Sequence, residues 1–212
     1  ADALAALGIG SVAVGLAFKD IFENFFAGVL ILWRFPFENG DFIECDGLSG
    51  KVVDVTIRNT LLRTVEGDLV VIPNATIYKN AVDILTYERK RRQTVIAGIA
   101  YGEKVAPARE VIRRAVESCP TVARGDDTPI EIFAQEFASS SINFEVTWWT
   151  GSTPLEQRRS RDEVVEAVKT ALDEAGIEIP FPYRTLTFKH PLQLEHQGQG
   201  GGDGGPAEPH DR

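Results

Sequence analysis

Residues 7–37 read LGIGSVAVGLAFKDIFENFFAGVLILWRFPF, and the fold is decided there. The first half alternates small residues (Gly8, Gly10, Ser11, Ala13, Gly15, Ala17) with apolar ones (Ile9, Val12, Val14, Leu16, Phe18). Ala6 and Gly10, Ser11 and Gly15, and Ala13 and Ala17 stand at i and i+4, a small-xxx-small pattern that lets helix backbones approach closely. Each glycine costs an isolated helix about 1 kcal/mol relative to alanine. Close packing against other helices is expected to offset that cost, with Gly8, Ser11 and Gly15 as packing positions. Ile9, Val12 and Leu16 share another face at i, i+3 and i+7. If copies packed through the small faces, Val12 and Leu16 would form apolar rings around an axis, which close a pore by excluding water. A helix from Leu4 to Phe18 would run about 22 Å, short of the hydrocarbon core of about 30 Å. On pattern alone, a Gly/Ala-rich core helix of a soluble protein also fits.

The charged pair Lys19-Asp20 then interrupts the run and predicts a break. Beyond it Phe22, Phe25, Phe26, Val29, Leu30 and Trp33 form one broad stripe on a second helix. Trp33-Arg34 closes the stripe with an aromatic and a cation, as helices lying in a membrane interface do. A helix covering a sheet with this stripe is the soluble alternative. Gly28, inside the apolar run, predicts a close contact or a pivot. Pro36 stops the helix.

Outward from this stretch the pattern changes to short strands. Asn39-Gly40, Asp46-Gly47, Ser49-Gly50 and Glu66-Gly67-Asp68 read as turns. Strands are predicted at 42–45, 51–64 and 69–72, with Val53, Val55 and Ile57 on one buried face. A second unit follows in the order β-α-β-β-α-β: strand 94–101, helix 105–118, strands 130–137 and 142–149, helix 155–175 capped by Gly176, and strand 183–188. That order is a ferredoxin-like split βαβ sandwich. Between the units, Glu88 to Arg92 (ERKRR) reads as a solvated loop, with an anion patch as the sharper alternative. From Pro191 onward Gly, Gln, Pro and charge predict a disordered tail. The expected divisions are 1–36, 37–87, 88–190 and 191–212.

The composition, 43% apolar and 25% charged, is that of a folded protein. The absence of Met predicts that Ala1 lies inside a longer protein. A net charge of −9 argues against nucleic acid as a partner. Cys45 and Cys119 lack CxxC spacing and read as free thiols of a reducing compartment. The sequence is poor in catalytic constellations. The segment from Gly47 to Val52 lacks the first Gly and the Ser/Thr of a phosphate loop. Asn74-Ala75-Thr76 matches a glycosylation acceptor that three residues often give by chance. The histidines at 190, 196 and 210 have no metal-ligand spacing. No enzyme, cofactor or metal is expected.

The small-residue helix, Asn24-Phe25-Phe26-Ala27-Gly28 and Pro36-Phe37-Glu38-Asn39-Gly40-Asp41 together resemble the family of the mechanosensitive channel of small conductance (MscS). The likeness continues through 50–55, 58–60, 63–64, 67–68 and Val71-Ile72-Pro73-Asn74, and resumes at 140–144 and 176–182. It implies a homoheptameric channel of the inner membrane with a pore-lining kinked helix, an Sm-like β domain, a ferredoxin-like cytoplasmic domain and a terminal barrel strand. It implies gate rings at Val12 and Leu16, pore-lining positions at Ala5 and Ile9, and a helix break with gating residues at Lys19, Asp20, Asn24 and Gly28. Membrane lipids and permeating ions and small osmolytes would be its partners, and it would open under tension on hypo-osmotic shock. Relatives place glycine where this chain has Asp20, so charge solvation and packing would have to make the bend. A membrane-tethered binding or regulatory module is the alternative reading.

Overall fold

The computed structural model describes residues 2–34 and 36–184, with side chains from residue 11 onward. The chain opens with helix α1 (Asp2–Arg34). The expected break at Lys19-Asp20 is absent, and α1 is one helix of 33 residues. Neither Lys nor Asp removes a backbone donor as proline would, and sharp kinks need a proline, a glycine pair or a bulge. The Asn24 side chain also donates to the Asp20 carbonyl at 2.9 Å, one turn back. Among the described residues, no helix is long and apolar enough to cross a membrane.

The aromatic stripe of α1 does not cover a sheet. Phe22, Phe25, Phe26, Val29, Leu30 and Trp33 are exposed, whereas Ala27, Gly28 and Ile31 are buried. The helix therefore docks through its small, narrow side and turns its apolar side outward. Upstream, Val12 and Leu16 are 62% and 68% exposed. Exposed apolar side chains on both sides of Lys19-Asp20 mark an interaction site with lipid or protein.

Five strands follow: β1 (Phe42–Cys45), β2 (Leu48–Val55), β3 (Asn59–Arg63), β4 (Leu69–Pro73) and β5 (Val82–Ile84), with the short helix α2 (Asn74–Lys79) before the last. They form an antiparallel sheet in the order β4-β3-β2-β1-β5. Asp46 and Gly47, both at positive φ (51° and 76°), make the tight turn between β1 and β2. The predicted strand 51–64 is two strands. The Thr56 hydroxyl accepts from the Asn59 amide at 3.0 Å and donates to the Asn59 carbonyl at 2.7 Å, which turns the chain. Ser49-Gly50 is not a turn but part of β2. A Cβ on Gly50 would stand 2.8 Å from the Arg63 carbonyl oxygen, so glycine is needed for the β2–β3 approach. Of the predicted buried face, Val55 packs against the core. Val53 is exposed and Val52 is buried in its place, where the β2–β3 register shifts between Val52 and Asp54. Ile57 is exposed in the turn that follows β2. Ile31, Phe37, Ile43, Val52, Leu62, Ile72 and Ile77 fill the core beneath.

The second unit comprises β6 (Lys90–Ile99), α3 (Val105–Ser118), β7 (Glu131–Phe137), β8 (Ile142–Gly151) and α4 (Pro154–Glu174). Its sheet order, β6-β8-β7, is the split βαβ arrangement that the sequence predicts. Lys90 to Arg92 are not a loop but open β6, paired with Trp149 to Gly151. Of the predicted strand 183–188, Tyr183 and Arg184 are irregular and the remainder lies outside the described residues, as does the predicted tail. Helix α4 starts with a capping box between Thr153 and Glu156. The Glu156 carboxyl is lowered by its bonds to Thr153, so this cap is complete at neutral pH and weakens as pH falls through the folded value. It ends on Gly176 at φ 66°, with Ile177 N–H donating to the Leu172 carbonyl at 2.9 Å, a Schellman motif.

Trp148 and Phe144 centre this second core. The Trp148 indole N–H donates to the buried Ser160 hydroxyl at 2.9 Å. Ser160→Ala strands that donor and is expected to lower urea stability by about 1–3 kcal/mol. Cys45 and Cys119 are both buried, and burial pushes their thiols up, helped by Asp46 and Glu163 respectively. Ellman's reagent is expected to leave both untouched in the native protein and to titrate both after denaturation.

Candidate functional site: the seat of the first helix

Gly28 is where α1 meets the first sheet. A Cβ built there would stand 2.0 Å from the Ile57 carbonyl oxygen and 2.5 Å from the Asn74 side-chain nitrogen. Only a residue without a side chain allows this contact, since backbone on the facing side cannot rotate away. The turn at Thr56 to Arg58 thus supplies the surface on which α1 rests.

Asn74, at the start of α2, ties that turn to the sheet. It is fully buried. Its amide donates to the Thr56 carbonyl at 2.8 Å, and its side-chain oxygen accepts from the Thr60 hydroxyl at 2.9 Å. Its own backbone N–H donates to the Arg58 carbonyl at 3.0 Å. A buried amide with both ends bonded fixes its surroundings in one arrangement, and it is not available as a glycosylation acceptor.

One turn before Gly28, the Asn24 side-chain oxygen accepts from the Ala75 amide at 3.0 Å. Ala75 N–H is one of the first free donors of α2, so Asn24 caps that helix from a different element. Glu23 and Lys79 form an ion pair across the same interface. Asn24, Ala27, Gly28 and Ile31 follow one face of α1, and α2 and the Thr56 turn receive it.

The structure thus brings Asn24 and Gly28 together on one contact, with Asp20 tied to it through Asn24. It does not gather the upstream candidates. Ser11, Val12, Gly15, Leu16, Lys19 and Asp20 are exposed along α1. A Cβ on Gly15 would meet nothing within 4 Å. Ala5, Gly8 and Ile9 lie on the helix, but their side chains fall outside the described residues. Sequence reasoning missed Thr56, Thr60 and the structural role of Asn74. The only signal was the Pro-Asn pair at the head of a short helix. Among the described residues, no group of His, Cys, Asp and Glu could hold a metal ion.

A helix with an exposed apolar face, seated through glycine and asparagine on a small antiparallel sheet that leads into a split βαβ unit, defines a β and α+β class. Residues 20–83 match the family "Mechanosensitive ion channel, beta-domain", and residues 94–179 match "Mechanosensitive ion channel MscS, C-terminal". An MscS family protein of Archaeoglobus fulgidus is 32% identical over 196 residues, covering 92% of this chain and 68% of that protein. The small-conductance mechanosensitive channel of Helicobacter pylori is 32% identical, covering 87% of this chain and 66% of that one. The crystal structure of Helicobacter pylori MscS in its closed state superposes with a TM-score of 0.82 at 30% identity, covering 90% of this chain and 74% of that chain. This chain belongs to the MscS family. It spans only about half of some relatives, such as 52% of the channel MscMJ of Methanocaldococcus jannaschii.

Proposed function

We propose that this chain forms the pore and cytoplasmic vestibule of a tension-gated, weakly selective channel that releases ions and small osmolytes on hypo-osmotic shock. The observation that carries the reading is the division of α1. Its upstream half offers Val12 and Leu16 outward beside small residues, while its downstream half is seated on a sheet through Asn24 and Gly28. Copies packed through Gly8, Ser11 and Gly15 as a homoheptamer would ring Val12 and Leu16 about an axis, with Ala5 and Ile9 above. An apolar ring of that kind closes by excluding water. A helix lining such a pore faces other copies and water over much of its surface, so it need not have the hydropathy of a lipid-facing span. In this reading residues 1–36 belong to the inner membrane and its lipids, 37–87 form an Sm-like domain, and 88–190 hang in the cytoplasm, followed by the tail at 191–212. Lys19 and Asp20 mark the level where the pore half of α1 passes into the interfacial half.

The seat supplies the mechanical link. Tension that displaces the apolar downstream half of α1 acts against the Asn24, Gly28 and Asn74 contacts, so their strength sets part of the opening cost. Val12→Asp or Leu16→Ser, in the full-length protein, is expected to hydrate the constriction. Cells expressing either variant should grow poorly and leak potassium at rest. An unchanged opening threshold and unchanged growth for both variants would refute the gate assignment.

A further inference from the structure

The basic run at the start of β6 takes no part in the seat of α1. It lines a cleft of about 630 Å³ between the first sheet and the second. Glu44 and Asp83 lie on one side of it as register partners on β1 and β5, both exposed. Like charges directly opposite on neighbouring strands repel, so this pair favours a cationic neighbour. Lys90, Arg91 and Arg92 line the same cleft with Trp149, which is paired with Arg92 across β6 and β8. Tyr87, from the segment linking the two sheets, completes the lining.

The two charged groups are not neutralised by each other. Among the described residues no ion pair within 4.0 Å joins Glu44 or Asp83 to a base, and Arg92 reaches instead to Glu131 at 3.9 Å. Counting Glu88, the lining holds three carboxylates (Glu44, Asp83, Glu88) and three cations (Lys90, Arg91, Arg92), so it is balanced in charge. A simple anion would meet the carboxylates, and a simple cation would meet the bases. A molecule carrying both charges satisfies both sets. Aromatic faces add attraction for an ammonium group, and arginine binds a carboxylate through directed hydrogen bonds. The volume is within the range of small-molecule sites, about 300–1,000 Å³.

We propose that this cleft binds a small zwitterion. Its ammonium end lies toward Glu44, Asp83 and the rings, and its carboxylate toward Arg91 and Lys90. The proposal goes beyond the channel reading and does not depend on it, because every residue comes from a single chain. It is tested by titrating the chain with glycine betaine, and with choline and acetate as probes that each carry one of its charges. Tryptophan emission and calorimetry read the binding. The expected result is saturable binding of betaine at least about tenfold tighter than of choline or acetate. Arg91→Gln should weaken betaine by about tenfold through the loss of one charge-assisted hydrogen bond to its carboxylate, and Asp83→Asn should weaken it by removing the charge attraction to its quaternary ammonium, both with unchanged circular dichroism. Trp149→Phe should remove the emission change and weaken calorimetric binding, because a phenyl ring attracts an ammonium group less than an indole does. No betaine binding, betaine no tighter than either probe, or betaine unaffected by both charge variants would overturn the proposal.

Discussion

Gly28→Ala is expected to lift the downstream half of α1 from its seat. The added methyl would meet the Ile57 carbonyl oxygen at 2.0 Å, and backbone there cannot give way as a side chain would. Overpacking of this kind costs about 1–3 kcal/mol, which corresponds to about a 5- to 150-fold shift toward the undocked state. Hydrogen exchange should read it directly. The Ala75 amide, held by Asn24, and the amides of the Thr56 turn should lose protection by that factor, while the second unit around Trp148 stays protected. Gly15→Ala in the single chain is the control. Nothing lies within 4 Å of its added carbon, and alanine favours a helix over glycine by about 1 kcal/mol, so protection should hold or rise. Equal behaviour of the two variants would contradict the seat.

Asn74→Ala should cost the first sheet more than any surface substitution. It leaves the buried Thr60 hydroxyl and the part-buried Thr56 carbonyl without partners. Each stranded group costs about 1–3 kcal/mol, for a summed loss of about 2–6 kcal/mol read as a lower urea midpoint. Asn74→Asp is not a rescue, because it turns the donor facing the Thr56 carbonyl into an acceptor. Asn80→Ala removes only an exposed bond to the Thr76 carbonyl and should change stability by less than about 0.5 kcal/mol. A loss at Asn74 no larger than that at Asn80 would show that the amide does not hold the turn.

The sequence declared some of this and concealed the rest, for physical reasons. Gly28 stood out because a glycine in an apolar helical run needs a reason, and close backbone approach is that reason. Helix ends were legible for the same kind of cause: Gly176 follows α4 and adopts the left-handed conformation that a Schellman motif requires. The direction in which α1 docks was not legible. A stripe of phenylalanines ordinarily faces a core, and here Ala27, Gly28 and Ile31 do so instead. Amphipathicity reports an apolar face without saying whether sheet, lipid or another copy covers it. The alternation of Val53, Val55 and Ile57 held only at Val55, because a bulge between Val52 and Asp54 shifts the phase of β2 and Ile57 falls in the turn beyond it, and bulges leave no compositional mark. The Lys19-Asp20 pair looked like a break because charge interrupts an apolar run, but charge alone does not remove a helical hydrogen bond. Asn74 remained obscure because its partners at 56 and 60 are distant in sequence and become neighbours only when β2 turns into β3.

Gating of a pore by membrane tension is the step on which the proposed function rests. The direct measurement is excised-patch recording of the full-length protein in cells lacking their own mechanosensitive channels. Discrete currents should appear as suction rises, with little discrimination between potassium and chloride, and Val12→Asp should lower the suction at which they begin. Patches holding the verified full-length protein that stay silent up to the tension at which the membrane ruptures would contradict the account.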